Sequence, residues 1–287
     1  MKSIYKSAES KQIIHNLYDK KLNSLGFPFK ELDIQTSFGR TRLIKTGNEQ
    51  GKKIVLFHGI HAGAPLTLET VKELRKKYLL FAIDTIGQAT KSEETVLNIK
   101  DESFATWASE VLEGLGIEQA NFIGISYGAF ILQKLVQYKP AKIEKCIFIV
   151  PSGMANGAFW PSFTKLTLPL IQFQLTKKDA ALRNFIAPFV PKDDEYMFDF
   201  QKAILLGLHL DFRRPTLLNP SNVQHFNNPV YMIVAENDIF FPADKTIKKA
   251  KSAFSNLKEI HVLKDAKHIP HKSDFKQIQE KIMLWVN

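Results

Sequence analysis

Cysteine is almost absent from this chain: Cys146 is the single one among 287 residues. One thiol can form neither an intramolecular disulfide nor a cysteine-based metal site, because each needs at least two. A reducing, cytoplasmic setting is the matching expectation. Long apolar runs are missing too. Lys165 interrupts the run over residues 158–175, which falls short of the roughly 20 residues that cross a bilayer. The first 25 residues carry a charged or polar side chain every few positions, so neither a signal peptide nor a membrane span is expected. Acidic residues are outnumbered, 29 Asp plus Glu against 39 Lys plus Arg, for a formal net charge of +10. The lysines are dispersed. Short clusters such as Arg75-Lys76-Lys77 and Lys248-Lys249 fall on amphipathic helical patterns, where a charged outer face is the ordinary reading, and nucleic acid is set aside as a partner.

What is present is the composition of an ordinary globular chain, with 45% hydrophobic residues, 24% charged residues, 14 Gly and 13 Pro. Its length suits one large domain, or one domain carrying an insertion. Ile13, Ile14, Leu17, Tyr18, Leu22 and Leu25 recur at helical spacing and predict an N-terminal helical arm whose apolar face must dock. Alternating runs at 31–38 and 41–45, separated by Gly39-Arg40, suit a hairpin at a sheet edge. From residue 53 the texture changes. Short apolar runs at 54–57, 79–83, 121–125, 145–150, 230–235 and 259–263 alternate with helical patterns at 66–77, 103–115, 127–138, 243–254 and 274–285. That alternation predicts an α/β fold with buried parallel strands and crossover helices. It breaks between Pro151 and about Pro220, where no strand pattern appears and aromatic residues are dense, so a helical insertion is expected there.

Gly124-Ile125-Ser126-Tyr127-Gly128 follows one of these strands and opens a helical pattern. The pentapeptide alone is a weak signal, but in a strand-turn-helix context it predicts a serine on a sharp, strained turn with glycines leaving room for crowded backbone. A serine hydroxyl becomes a nucleophile only when a base withdraws its proton, so a histidine held by a carboxylate is required. Asp238 ends the strand at 230–235, and His268 lies five residues past the strand at 259–263. The order Ser126, Asp238, His268 is the one expected of this architecture. Two backbone N–H groups should meet the developing oxyanion: Tyr127, after the nucleophile, and Ile60, just past His58-Gly59.

These motifs resemble the α/β-hydrolase fold superfamily from about residue 30 to the C-terminus. His58-Gly59 resembles its oxyanion-loop dipeptide, and residues 124–128 its nucleophile elbow. Residues 84–92 resemble its D-x-x-G-x-G-x-S loop, with Ala89 where a second glycine is common. Asn237-Asp238 resembles its acid turn and residues 266–268 its histidine loop, with Lys267 where glycine is usual. The resemblance implies a mostly parallel central sheet flanked by helices, a core at 29–152 and 221–287, and a helical cap inserted at 153–220, while the apolar spacing ahead of it sets the helical arm at 1–28. It also implies cofactor-free hydrolysis of an ester or related carbonyl compound in a pocket between cap and core. Trp160 and Arg213 are the cap residues singled out for substrate contact.

Rival assignments are weaker at each position. Glu236 lies two residues before Asp238, and His271 three residues after His268. His268-x-x-His271 is only half a metal site, and metal catalysis is not expected. His58 reads as a loop-steadying residue, His61 has no evident role, and Cys146 reads as an inert buried thiol. The leading expectation is a serine esterase of small apolar esters acting through an acyl-enzyme. The alternatives are a carbon–carbon bond hydrolase of the meta-cleavage-product type, for which an arginine such as Arg213 would hold an acidic substrate, and a signalling protein that retains the fold without catalysis. A lipase with interfacial activation draws on residues 158–175, but no jump in activity at an interface is expected. Oligomeric state does not follow from the sequence.

Overall fold

A computed structural model describes residues 3–287. The apolar runs form eight strands: β1 (Lys30–Thr36), β2 (Gly39–Gly47), β3 (Lys53–Phe57), β4 (Leu79–Ile83), β5 (Ala120–Ile125), β6 (Ile143–Ile149), β7 (Val230–Ala235) and β8 (Leu257–Leu263). They make one sheet in the order β1-β2-β4-β3-β5-β6-β7-β8. β1 pairs antiparallel with β2 and β2 antiparallel with β4, and the other neighbours run parallel. The expected α/β architecture is therefore present. The central strands are apolar on both faces because helices cover both faces.

Two core clusters sit on opposite sides of the sheet. Phe57, Phe122 and Phe148 point toward α3 (Ser103–Gly114), α4 (Tyr127–Tyr138) and α9 (Ala243–Ala253). Leu56, Ile123 and Ile147 point toward α2 (Gly63–Val71) and α10 (Asp274–Val286). Alternation along each strand produces this division, since successive side chains leave a strand on opposite faces. Apart from one antiparallel bridge between Leu208 and Tyr5, the segment between β6 and β7 contains helices and coil: α5 (Phe159–Ser162), a single π-helical stretch (Phe163–Thr167), α6 (Leu168–Thr176), α7 (Asp179–Ile186), α8 (Glu195–Gly207) and a 3₁₀ turn (Pro220–Asn222). Its own core is built on Phe173, Leu182, Phe198 and Phe200, and Ile239, Phe240 and Ile269 from the ends of the sheet pack against it.

Helix α1 (Ala8–Ser24) starts at Ser7, whose hydroxyl accepts the Ser10 N–H at 3.0 Å. It docks as its periodicity requires, with one change of face: Ile14, Tyr18 and Leu22 are buried whereas Ile13 is half exposed. Lys21 is buried against α2, where its ammonium donates to both carboxylate oxygens of Glu69 at 3.0 Å, and it lies 4.0 Å from the ring centre of Tyr196 on α8. The Tyr196 hydroxyl in turn donates to the Leu17 carbonyl at 3.1 Å. The arm thus bonds to the sheet layer and to the helical layer at once.

Two local expectations need correction. The hairpin turns at Ser37-Phe38, not at Gly39-Arg40: Thr36 pairs with Gly39, and the Thr36 hydroxyl donates to the Gly39 carbonyl at 2.7 Å. Gly39, at φ 121°, opens β2, and Phe38 leaves the strand. The helix expected over 66–77 begins earlier, at Gly63, and turns 3₁₀ over Lys72–Lys76.

Trp107 of α3 is fully buried, and its indole N–H donates to the Thr41 hydroxyl of β2 at 2.8 Å, tying the antiparallel edge to the main core. Trp107→Ala empties that space and orphans the hydroxyl. Urea unfolding is expected to show a loss of about 3–5 kcal/mol with an unchanged denaturant slope.

Candidate active site

Ser126 occupies the junction of β5 and α4 at φ 50° and ψ −111°, a conformation unfavourable for a residue with a Cβ. The surrounding backbone holds it there. Its N–H donates to the Ile149 carbonyl at 2.9 Å, and its carbonyl accepts from the Ala129 N–H, the Ser152 N–H and the Ser152 hydroxyl. Both flanking glycines are sterically required. A Cβ on Gly124 would come within 2.6 Å of the Gly128 carbonyl oxygen, and one on Gly128 within 2.1 Å of the Phe57 carbonyl oxygen.

Residues from three distant stretches of the chain meet at this turn. Ser126 Oγ lies 2.9 Å from His268 Nε2, and His268 Nδ1 lies 2.8 Å from Asp238 Oδ2. The other Asp238 oxygen accepts the N–H groups of Phe240 and Phe241 at 2.8 and 3.0 Å. A carboxylate with this set of donors accepts from Nδ1, which leaves Nε2 free to accept the serine hydroxyl proton. The rings of Phe240 and Phe241 stand edge-on to the imidazole at 5.0 and 5.3 Å between centroids. All three side chains are buried or nearly so. The competing residues lie elsewhere: Glu236 is exposed and paired with Lys264 at 3.0 Å, and His271 is exposed and bonded to Ser273.

Ile60 and Tyr127 line one narrow cleft of about 40 Å³, together with His61, Gln88, Asp211 and Arg213. Neither the Ile60 nor the Tyr127 N–H has an acceptor among the described residues. Arg213 reaches this cleft, but its guanidinium is engaged by the Asp211 carboxylate, with N···O distances of 2.6 to 3.0 Å. Trp160 lies apart, 70% exposed and stacked edge-on with Phe159 and Phe163. Among the described residues no group of three or more His, Cys, Asp or Glu is arranged to hold a metal. No described helix is long and apolar enough to cross a membrane.

A family model for the alpha/beta hydrolase fold matches residues 52–210, more than half of the chain. The chain belongs to the alpha/beta hydrolase fold family. In sequence it is similar to an uncharacterized carboxylesterase, nap, of Bacillus subtilis, with 21% identity over 283 residues covering 95% of this chain and 92% of the relative. It is also similar to the carboxylesterase YbfK of the same organism, 24% identical over 166 residues, 58% of this chain and 56% of that one. The crystal structure of naproxen esterase (carboxylesterase NP) from Bacillus subtilis superposes with a TM-score of 0.82 at 20% identity, covering 98% of this chain and all of that one.

The loop after β3 approaches the serine turn, a Cβ on Gly59 lying 3.5 Å from the Ser126 Cβ, and buried polar groups join it to the loop after β4. His58 Nε2 accepts the Thr85 N–H at 2.8 Å, so Nδ1 carries the proton and donates to the Gly59 carbonyl at 2.6 Å. Asp84 accepts the Ala64 N–H at the start of α2 and the Lys91 N–H. Ser92 donates to the Asp84 carbonyl at 2.6 Å and accepts the Arg42 N–H. Gly87, at φ 72°, is indispensable to this loop, since a Cβ there would meet the Thr95 carbonyl at 2.5 Å, while Ala89 fits as a buried small residue.

His61 also gains a setting that its sequence neighbourhood did not disclose. It sits at φ 58°, donates its N–H to the Gln88 side chain at 2.6 Å and accepts the Ala89 N–H on Nδ1 at 3.2 Å. The sequence reading also missed Lys267. Its ammonium donates to the Ala187 and Val190 carbonyls at 2.7 and 3.1 Å, and the neighbouring Ile269 N–H donates to the Phe189 carbonyl at 3.0 Å. The departure from glycine at 267 was the available signal. Its partners, about 80 residues away, were not visible.

Burial lowers the His58 and His61 pKa values to about 4 and raises that of Asp84 to about 6. The histidines therefore stabilise the fold above pH 6.5 and lose that contribution as pH falls toward about 4. Asp84 acts oppositely, its contribution being complete below pH 3.8 and lost as pH rises through about 6. Asp84→Asn removes the opposing group. Its unfolding free energy should fall more steeply on acidification from pH 6 to 4 than that of the wild type, by up to about 1.4 kcal/mol per pH unit. Gly128→Ala should lose at least about 1–3 kcal/mol by thermal or urea unfolding, because the clash is with backbone.

Proposed function

We propose that the protein is a serine carboxylesterase acting on small apolar esters. In this reading Ser126 Oγ attacks the ester carbonyl while His268 Nε2 takes its proton. The imidazolium then returns the proton to the leaving alcohol, and water, activated by the same nitrogen, releases the acid from the acyl-enzyme. Asp238 holds the imidazole in the working tautomer and stabilises its charged form. The Ile60 and Tyr127 N–H groups receive the oxyanion. Residues 1–28 act as an arm, 29–152 and 221–287 as the catalytic core, and 153–220 as a cap. A single buried thiol at Cys146 is compatible with a reducing, cytoplasmic setting.

The observation that carries the proposal is the continuous hydrogen-bonded chain Ser126–His268–Asp238, with both contacts under 3 Å. The carboxylesterase names of the relatives support the same reading. The pairing of Arg213 with Asp211 favours a neutral ester over the acidic substrate of a carbon–carbon bond hydrolase, because the guanidinium already has a carboxylate partner. Trp160 lies apart from the cleft and adds no support to its assignment as a substrate contact.

The wild-type protein is expected to hydrolyse p-nitrophenyl acetate and butyrate and to be labelled by a fluorophosphonate. Ser126→Ala should abolish labelling and lower kcat by a factor on the order of 10⁴–10⁶. A folded wild-type protein that resists the probe would instead favour the non-catalytic reading.

A further inference from the structure

Residues 159–176 form an unbroken helical run through α5, the π-helical stretch and α6, about 27 Å long. Leu166 and Phe173 on one side enter the core of the helical layer. On the opposite side Trp160, Leu168, Ile171 and Leu175 recur at spacings of eight, three and four residues, and all are exposed, Trp160 at 70% and Leu175 at 80%. Phe159, 71% exposed, extends the stripe at its N-terminal end. A soluble surface helix ordinarily has a polar outer face, so a run that is apolar on both sides but covered on one has an unpartnered face.

Charge indicates what covers it. Residues 145–178 contain no Asp or Glu. The charged side chains of the helical run and its end are Lys165, Lys177 and Lys178, all exposed, on a chain of net charge +10. The next acid, Asp179, is paired with Lys202 at 2.6 Å, and aromatic rings at one end, aliphatic side chains along the face and three exposed lysines are the combination that lies in the headgroup region of an anionic bilayer.

We propose that the exposed face of residues 159–176 docks the protein peripherally on anionic lipid bilayers. The inference is independent of the ester-hydrolase reading and requires no change in activity at the interface. It is tested by co-sedimentation of the full-length protein with phosphatidylcholine vesicles that contain or lack phosphatidylglycerol. Wild-type protein is expected to sediment with the anionic vesicles, less so as salt is raised, and weakly with pure phosphatidylcholine. Ile171→Glu with Leu175→Glu should weaken binding at least about tenfold with an unchanged circular dichroism spectrum, since both positions are exposed. Lys165→Gln, Lys177→Gln and Lys178→Gln should each weaken it about fivefold. Ser126→Ala should bind as the wild type does, which separates this result from the fate of the catalytic proposal. Wild-type protein left in the supernatant with anionic vesicles overturns the inference, as does a double-glutamate variant that binds undiminished. A wild-type dimer that the double-glutamate variant dissociates also overturns it, by assigning the face to a second copy of the chain.

Discussion

The backbone of Ser126 is held in a left-handed turn, and much of the molecule serves to keep it there. A residue bearing a Cβ does not rest at φ 50° unless its surroundings fix it. Here the restraint comes from neighbouring strands: the Ile149 carbonyl takes the serine N–H, and Ser152, just past β6, binds the serine carbonyl twice. Glycines at 124 and 128 let β5, α4 and the end of β3 approach to distances that any side chain would forbid. Parallel β3, β5 and β6 therefore both build the core and set the direction of one hydroxyl.

Around that turn most buried polar groups have a defined partner, the Thr85 hydroxyl being an exception. His58 connects the loops after β3 and β4 as a neutral ring, Asp84 gathers two backbone N–H groups, and Asp238 accepts two more besides the imidazole. Burying such groups without partners would cost several kcal/mol each. With partners they fix loop positions more sharply than apolar contacts, which are non-directional.

The sequence was legible wherever a physical requirement was local. Continuous apolar runs bounded by Gly, Asp or Pro located the parallel strands to within a residue or two. The spacing of Gly124, Ser126 and Gly128 announced the turn, because crowding there is imposed by immediate neighbours. The rank of Asp238 over Glu236 and of His268 over His271 rests on likeness to the family's acid turn and histidine loop, and Asp238 and His268 are the members of each pair that bond to each other, at 2.8 Å. What escaped depended on pairings that residue type and spacing do not specify. Ile13 belongs to the apolar spacing of α1, yet it stays half exposed in the open groove between α1 and α8. The hairpin turns two residues earlier than expected, where the Thr36 hydroxyl closes it onto Gly39. Trp160 and Arg213 were singled out by residue type, whereas their surroundings, a solvent-facing aromatic cluster and an aspartate two residues away, are properties of the folded chain.

The fastening at Lys267 and Ile269 has a mechanical implication. Both residues flank His268, and both bond to carbonyls in the stretch that ends α7. An outward swing of the helical layer must therefore either break those bonds or drag the imidazole with it. The door and the latch are parts of one piece: any displacement of the layer that keeps those bonds also moves the imidazole relative to the Ser126 hydroxyl.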